Sequence, residues 1–103
     1  MELDTAFLDG HDLAVYSATW CPDCTRLKRW TAKLGLTTRE VNIDSVVGAA
    51  EKLEEETGKR AIPFVLVNQR TWVRGYHKEL PGRFDPALFL TELRAAVAQG
   101  PKA

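Results

Sequence analysis

Residues 20–24 read Trp-Cys-Pro-Asp-Cys, and Cys21 and Cys24 are the only cysteines among 103 residues. They follow a short apolar stretch, Leu13-Ala14-Val15-Tyr16, and open a segment with helical spacing. This junction constrains the fold more than any other feature, because the chain must pass from a buried strand into a helix with both thiols in its first turn. Pro22 suits the first helical position, where its missing N–H is not needed. At a helix start the unpaired backbone N–H groups and the helix dipole favour negative charge, so Cys21 is the candidate nucleophile. Cys24, three residues on, lies on the same face and is placed to attack a mixed disulfide formed at Cys21. Asp23 works against the thiolate by setting a carboxylate beside it.

A structural disulfide and a structural metal compete with this reading. A chain that is 45% apolar builds a core of its own without a covalent staple. Two cysteines do not close a four-ligand zinc site, and His11 and His77 stand at spacings that fit no finger or ribbon, so no metal is expected. An iron–sulfur cluster would need ligands from outside the chain. The 14 basic and 14 acidic residues cancel, and nothing reads as a nucleic-acid binder. Residues 1–10 carry acids and no apolar run of signal-peptide length, and no later run is long enough to span a bilayer. The expectation is a cytoplasmic protein with no membrane partner, and in a reducing cytosol a CxxC pair points to catalysis or metal binding rather than to a staple.

Periodicity gives the rest of the chain. Cys21 to Leu34 is predicted as a helix burying Leu27, Trp30 and Leu34, with Arg26, Lys28, Arg29 and Lys33 on its solvated face. Gly35 stops it. Thr38 to Ile43 alternates as a strand, Ser45 to Thr57 is predicted as a second helix closed by Gly58, and Glu54, Glu55 and Glu56 are expected to face solvent. Phe64 to Val67 and Thr71 to Val73 flank a turn at residues 68–70 and predict a hairpin. Asp85-Pro86 supplies an N-cap and first-turn proline for a last helix through Ala98, with Phe89, Leu93, Ala96 and Val97 inward. A strand within residues 1–10 is left open. His11 and His77 are expected at the surface, and Trp72 in core or edge packing. Without repeats or linkers, β-α-β-α-β-β-α over residues 1–103 describes one α/β domain.

A CxxC opening the first helix, followed by Ala61-Ile62-Pro63 before the third strand, resembles the thioredoxin-fold redoxins, and the glutaredoxins in particular. Mycoredoxin-like proteins also have a Thr-Trp-Cys opening and a basic helix similar to Arg26-Leu27-Lys28. The resemblance implies a thioredoxin fold with a central four-stranded mixed sheet flanked by helices. It implies that Cys21 and Cys24 are catalytic, that Pro63 is a cis proline beside them, and that the Ile62 backbone pairs with the substrate's backbone. Trp20, Pro22, Arg60 and Gly75 complete the expected substrate-binding set: Trp20 packs over the thiols and meets partners, Arg60 reaches a carboxylate of a bound thiol, and Gly75 permits close backbone approach. The sequence departs from the family where Ala18 replaces a lysine and where His77 and Lys78 replace the acidic residue that would meet a glutathione ammonium. Thioredoxins match less well, since Val15 stands where their buried aspartate lies.

The expected function is thiol–disulfide oxidoreduction, reducing protein disulfides or mixed disulfides with low-molecular-weight thiols, as part of electron transport and cell redox homeostasis. No tightly bound cofactor is expected; glutathione or an analogue is the candidate electron donor, with a flavoprotein reductase as the other, and the chain is expected to act as a monomer. The alternatives are a thioredoxin-like donor to a dedicated reductase or peroxidase, a metal or iron–sulfur carrier, and a redoxin fold kept as a binding module.

Overall fold

The computed structural model describes residues 4–100. Seven main elements follow in chain order: β1 (Leu13–Ser17), α1 (Pro22–Lys33), β2 (Arg39–Asn42), α2 (Ala49–Thr57), β3 (Phe64–Val67), β4 (Thr71–Arg74) and α3 (Pro86–Ala98). The strands form one mixed sheet in the order β2-β1-β3-β4. β1 runs parallel to β2 and antiparallel to β3, and β3 is antiparallel to β4. This is the thioredoxin-fold arrangement that the sequence predicts. Among residues 4–10 there is a 3-10 turn at Ala6–Leu8 and no strand, while residues 1–3 lie outside the described part.

Side-chain alternation on the strands splits the core in two. Leu13, Val15, Val65, Val67 and Val73 pack with Leu27 of α1 and with Phe89, Leu90, Leu93 and Ala96 of α3. Ala14, Tyr16, Phe64 and Leu66 face the other way, onto Ala49 and Leu53 of α2. β1 and β3 are buried throughout, which is why they read as near-continuous apolar runs rather than as alternating ones.

Most element ends fall within a residue or two of the predicted ones. The exception is α2, which starts at Ala49 rather than Ser45. Gly48 caps it in the left-handed conformation at φ 80°, so the preceding segment turns outward and leaves Val47 fully exposed. Tandem residues 45–47 carry no break that periodicity detects. At α3, Asp85 accepts the Leu88 N–H at 3.1 Å and Pro86 follows as the first helical residue, the predicted cap. The β3–β4 connection, residues 68–70 between the paired Val67 and Thr71, places Asn68 and Gln69 at φ 53° and 59°, and the Arg70 N–H donates to the Val67 carbonyl at 3.0 Å.

The topology decides where the thiols lie. Tyr16 pairs with Phe64, so the chain leaving β1 toward Cys21 passes beside the chain entering β3 through Pro63. Phe64 pairs in turn with Arg74, which brings Gly75 to the far side of Pro63.

Candidate active site

Cys21 is the N-cap of α1, with extended backbone at φ −94° and ψ 115°, and Pro22 occupies the first helical position. The cap is made by sulfur: the Cys24 backbone N–H donates to Cys21 Sγ at 3.2 Å. On the other side, Cys21 Sγ lies 3.9 Å from the Ile62 carbonyl oxygen. The Ile62–Pro63 peptide bond is cis and Pro63 is fully buried, with Gly75 N–H donating to the Pro63 carbonyl at 2.9 Å. Both cysteines are free thiols with little exposed surface, 6% for Cys21 and 5% for Cys24.

The two sulfurs have different surroundings. Burial, reinforced by the hydrogen bond with Cys21, pushes the Cys24 thiol up to about 12. Cys24 therefore holds its proton across the physiological range, and charge on Cys21 adds to that resistance. Cys21, by contrast, faces an N–H donor at a helix start, where negative charge is stabilised.

Asp23 does not present an unmatched charge to the thiols. Arg83 binds it in bidentate fashion, Nε to Oδ1 at 3.1 Å and Nη2 to Oδ2 at 2.7 Å, and Arg26 Nη1 donates to Oδ1 as well. Arg83 first, then Arg26, holds the carboxyl below its ordinary range against the opposing effect of burial. The sequence places Arg26 on the solvated face of the helix, near enough to the thiols to favour anionic partners, and does not single out Arg83. Sixty positions separate Arg83 from Asp23, and no spacing signal connects them.

The remaining predicted residues fall in three places. Trp20 is 66% exposed next to Cys21 in the chain, and its indole N–H donates to Asp44 at 2.8 Å. Arg60 is exposed and its guanidinium is paired with Glu54 at 2.9 Å. Gly75 is buried, and a Cβ there would meet Leu27 Cδ2 at 2.6 Å and Pro63 Cγ at 3.2 Å. The close approach it permits is to the protein's own Leu27 and Pro63.

His77 corrects the sequence reading: it is fully buried, not at the surface. Its Nδ1 accepts the Asp85 backbone N–H at 3.0 Å and its ring stacks on Phe84 at 5.8 Å. Nδ1 as acceptor puts the proton on Nε2, which finds no hydrogen-bond partner among the described residues. His11 is half-buried against Asn68. Trp72 makes edge contacts with Tyr16 and Phe64, consistent with its predicted packing role. Among the described residues no three His, Cys, Asp or Glu side chains converge in a group able to hold a metal ion.

Residues 13–72 match the family model described as Glutaredoxin. The chain belongs to the glutaredoxin family. Over 66 residues it is 36% identical to a glutaredoxin of Solanum lycopersicum, covering 61% of each chain. It is 29% identical over 75 residues to the glutaredoxin-like protein NrdH of Escherichia coli K12, covering 73% of this chain and 90% of that one. The match spans only 53–61% of the length of the tomato protein and of two rice glutaredoxins. A buckwheat glutaredoxin–glutathione complex shares the fold, with a TM-score of 0.54 at 24% identity over 66% of this chain and 64% of that one. The family match takes in Cys21, Cys24 and Pro63 but stops short of His77 and Arg83, so the loop after β4 is described by this chain's own geometry.

Proposed function

We propose that this glutaredoxin-family chain is a dithiol oxidoreductase in which Cys21 attacks and Cys24 resolves. The observation that carries this reading is the pair of free thiols at the head of α1, with the Cys24 N–H directed at Cys21 Sγ. A Cys21 thiolate attacks one sulfur of a disulfide, forms a mixed disulfide, and releases the other sulfur as a thiolate that takes up a proton. Cys24 then loses its proton, attacks Cys21 Sγ, and releases the second thiol. The substrate gains two electrons and Cys21 and Cys24 end as a disulfide.

The Cys24 proton orders these steps. While Cys21 carries negative charge, that charge adds to the burial that keeps Cys24 protonated. Once Cys21 is tied into a mixed disulfide the charge is gone, and Cys24 deprotonates more readily at the moment its thiolate is needed.

The electron donor in this reading is a small thiol, glutathione or an analogue, a choice supported by the glutathione-bound buckwheat relative. A second reading, a donor reduced by a flavoprotein, is favoured by two observations. Arg60 is already engaged with Glu54, and a buried His77 stands where the family's acidic partner for an ammonium is expected. Equilibration of the thiols across a series of reduced-to-oxidised glutathione ratios, read by alkylation mass shift, separates the two. Rapid exchange at about −200 to −230 mV supports the small-thiol donor, and slow exchange near about −270 mV supports the reductase. Cys21→Ser is expected to abolish disulfide reduction and Cys24→Ser to trap mixed disulfides; retained dithiol reduction in Cys21→Ser would sink the assignment.

A further inference from the structure

Two basic residues, one local and one distant, converge on the single carboxylate between the thiols. Asp23 is the residue next to Cys24 on the first turn of α1, and its side chain is only 14% exposed. Such a carboxylate, with little exposed surface, adds its charge to what keeps the neighbouring Cys24 protonated, and it stands two residues from Cys21 at the same helix start. Arg26, three residues along the helix, supplies one counter-charge. The second arrives from residue 83, in the loop between β4 and α3, where both oxygens of Asp23 are gripped by one guanidinium.

That grip is made at a conformational cost. Arg83 sits at φ 61°, a left-handed backbone that a side-chain-bearing residue adopts only at some strain. The loop is closed around it by the Arg83 N–H to the Leu80 carbonyl at 3.0 Å and by the His77 N–H to the Arg83 carbonyl at 2.7 Å. Both backbone groups of Arg83 are thus committed, and its side chain extends onto Asp23.

We propose that Arg83 is a positioning residue for the thiols: it neutralises Asp23 from across the fold, so that the carboxylate between the cysteines does not oppose thiolate formation at Cys21. The proposal rests on the reading of Cys21 as the attacking thiol. The charged and titratable groups of this cluster are Asp23, Arg26 and Cys24 on α1, Arg83 on the loop, and Tyr76 just past β4. Among them Arg83 is the one cation whose removal leaves α1 itself unaltered. Since the reduced form of the couple is favoured by thiolate stabilisation, the clasp also sets how readily the Cys21–Cys24 disulfide is reduced.

The test compares the reduced full chain with Arg83→Met, Arg83→Lys, Asp23→Asn and the double variant Asp23→Asn/Arg83→Met. Two quantities are read: the iodoacetamide alkylation rate at Cys21 at neutral pH, located by mass spectrometry, and the equilibrium constant against a glutathione couple. Arg83→Met is expected to slow alkylation about threefold to tenfold and to shift the equilibrium toward the disulfide. Arg83→Lys is expected to keep most of the wild-type rate, and the double variant to return to it, because the charge and its counter-charge leave together. A purely structural role would leave the double variant as impaired as Arg83→Met, and that result overturns the proposal. So does a wild-type rate in Arg83→Met with Cys21 still the labelled thiol. Labelling at Cys24 instead of Cys21 in the wild type would overturn the assignment of the thiols themselves, and the role of Arg83 with it.

Discussion

The two walls of the candidate site are built by different means. On one side, residues 20–24 are held by backbone rules: a strand ends, Cys21 caps, Pro22 begins the helix, and the Cys24 N–H finds the first sulfur. On the other, residues 75–85 depend on partners remote in sequence as well as on their own backbone bonds: Gly75 closes against Leu27 and Pro63, the His77 ring accepts from Asp85, and the Arg83 side chain reaches Asp23. The first wall gives the molecule its reactive atoms and the second sets their surroundings. A local arrangement tolerates change elsewhere in the fold, whereas one assembled from remote pairs fails when either partner is lost.

Alkali provides the largest perturbation of the first wall. Cys24 titrates near 9.0 when unburied and near about 12 in the folded protein, so the unfolded chain sheds this proton first as pH rises. With fewer protons bound to the unfolded state, stability falls as pH rises through that window. Well below pH 9 the effect vanishes, because both states keep the proton. Urea unfolding of the reduced protein between pH 8 and pH 12 is expected to show a steeper loss in wild type than in Cys24→Ala. Parallel profiles would mean that burial of this thiol holds no excess proton.

Removing the imidazole is the corresponding blow to the second wall. His77→Ala leaves a cavity and an unpaired Asp85 N–H, and is expected to destabilise by about 3 kcal/mol in urea unfolding. It should do so without altering the alkaline profile that belongs to Cys24. An unchanged unfolding midpoint would show that the loop owes nothing to His77.

Smaller changes sharpen the contrast. Gly75→Ala forces a methyl group into space already taken by Leu27 and Pro63, and is expected to cost about 1–3 kcal/mol and to lower Tm. Asp85→Ala removes the cap of α3 while keeping the backbone N–H that His77 accepts, and is expected to cost about 1 kcal/mol. Equal losses from Asp85→Ala and His77→Ala would erase the distinction between a local cap and a buried contact.

The same division explains what was legible in the sequence. The order of strands and helices, the thiol turn and the Asp85-Pro86 cap are written in neighbouring residues, and they appear where periodicity and capping place them. The late start of α2 was not, because Gly48 acts through a left-handed backbone in the middle of a pattern that otherwise reads as helix. The burial of His77 escaped as well, since its acceptor role depends on Asp85 eight residues on and its stacking on Phe84. Arg83 was hidden for the same physical reason, being one arginine in a Pro-Gly loop whose partner lies in another element.

The hairpin turn at Asn68 and Gln69 has a practical consequence. It joins the ends of β3 and β4 that lie away from Pro63 and Gly75, so its backbone has no contact with the thiols. Gln69 occupies a left-handed position that glycine fills more readily, and in exchange its side chain donates to Asp12 at 3.0 Å. Thermal tolerance in this protein therefore has an adjustable point remote from its chemistry, where an engineer trades one surface hydrogen bond against one relaxed dihedral and leaves turnover alone.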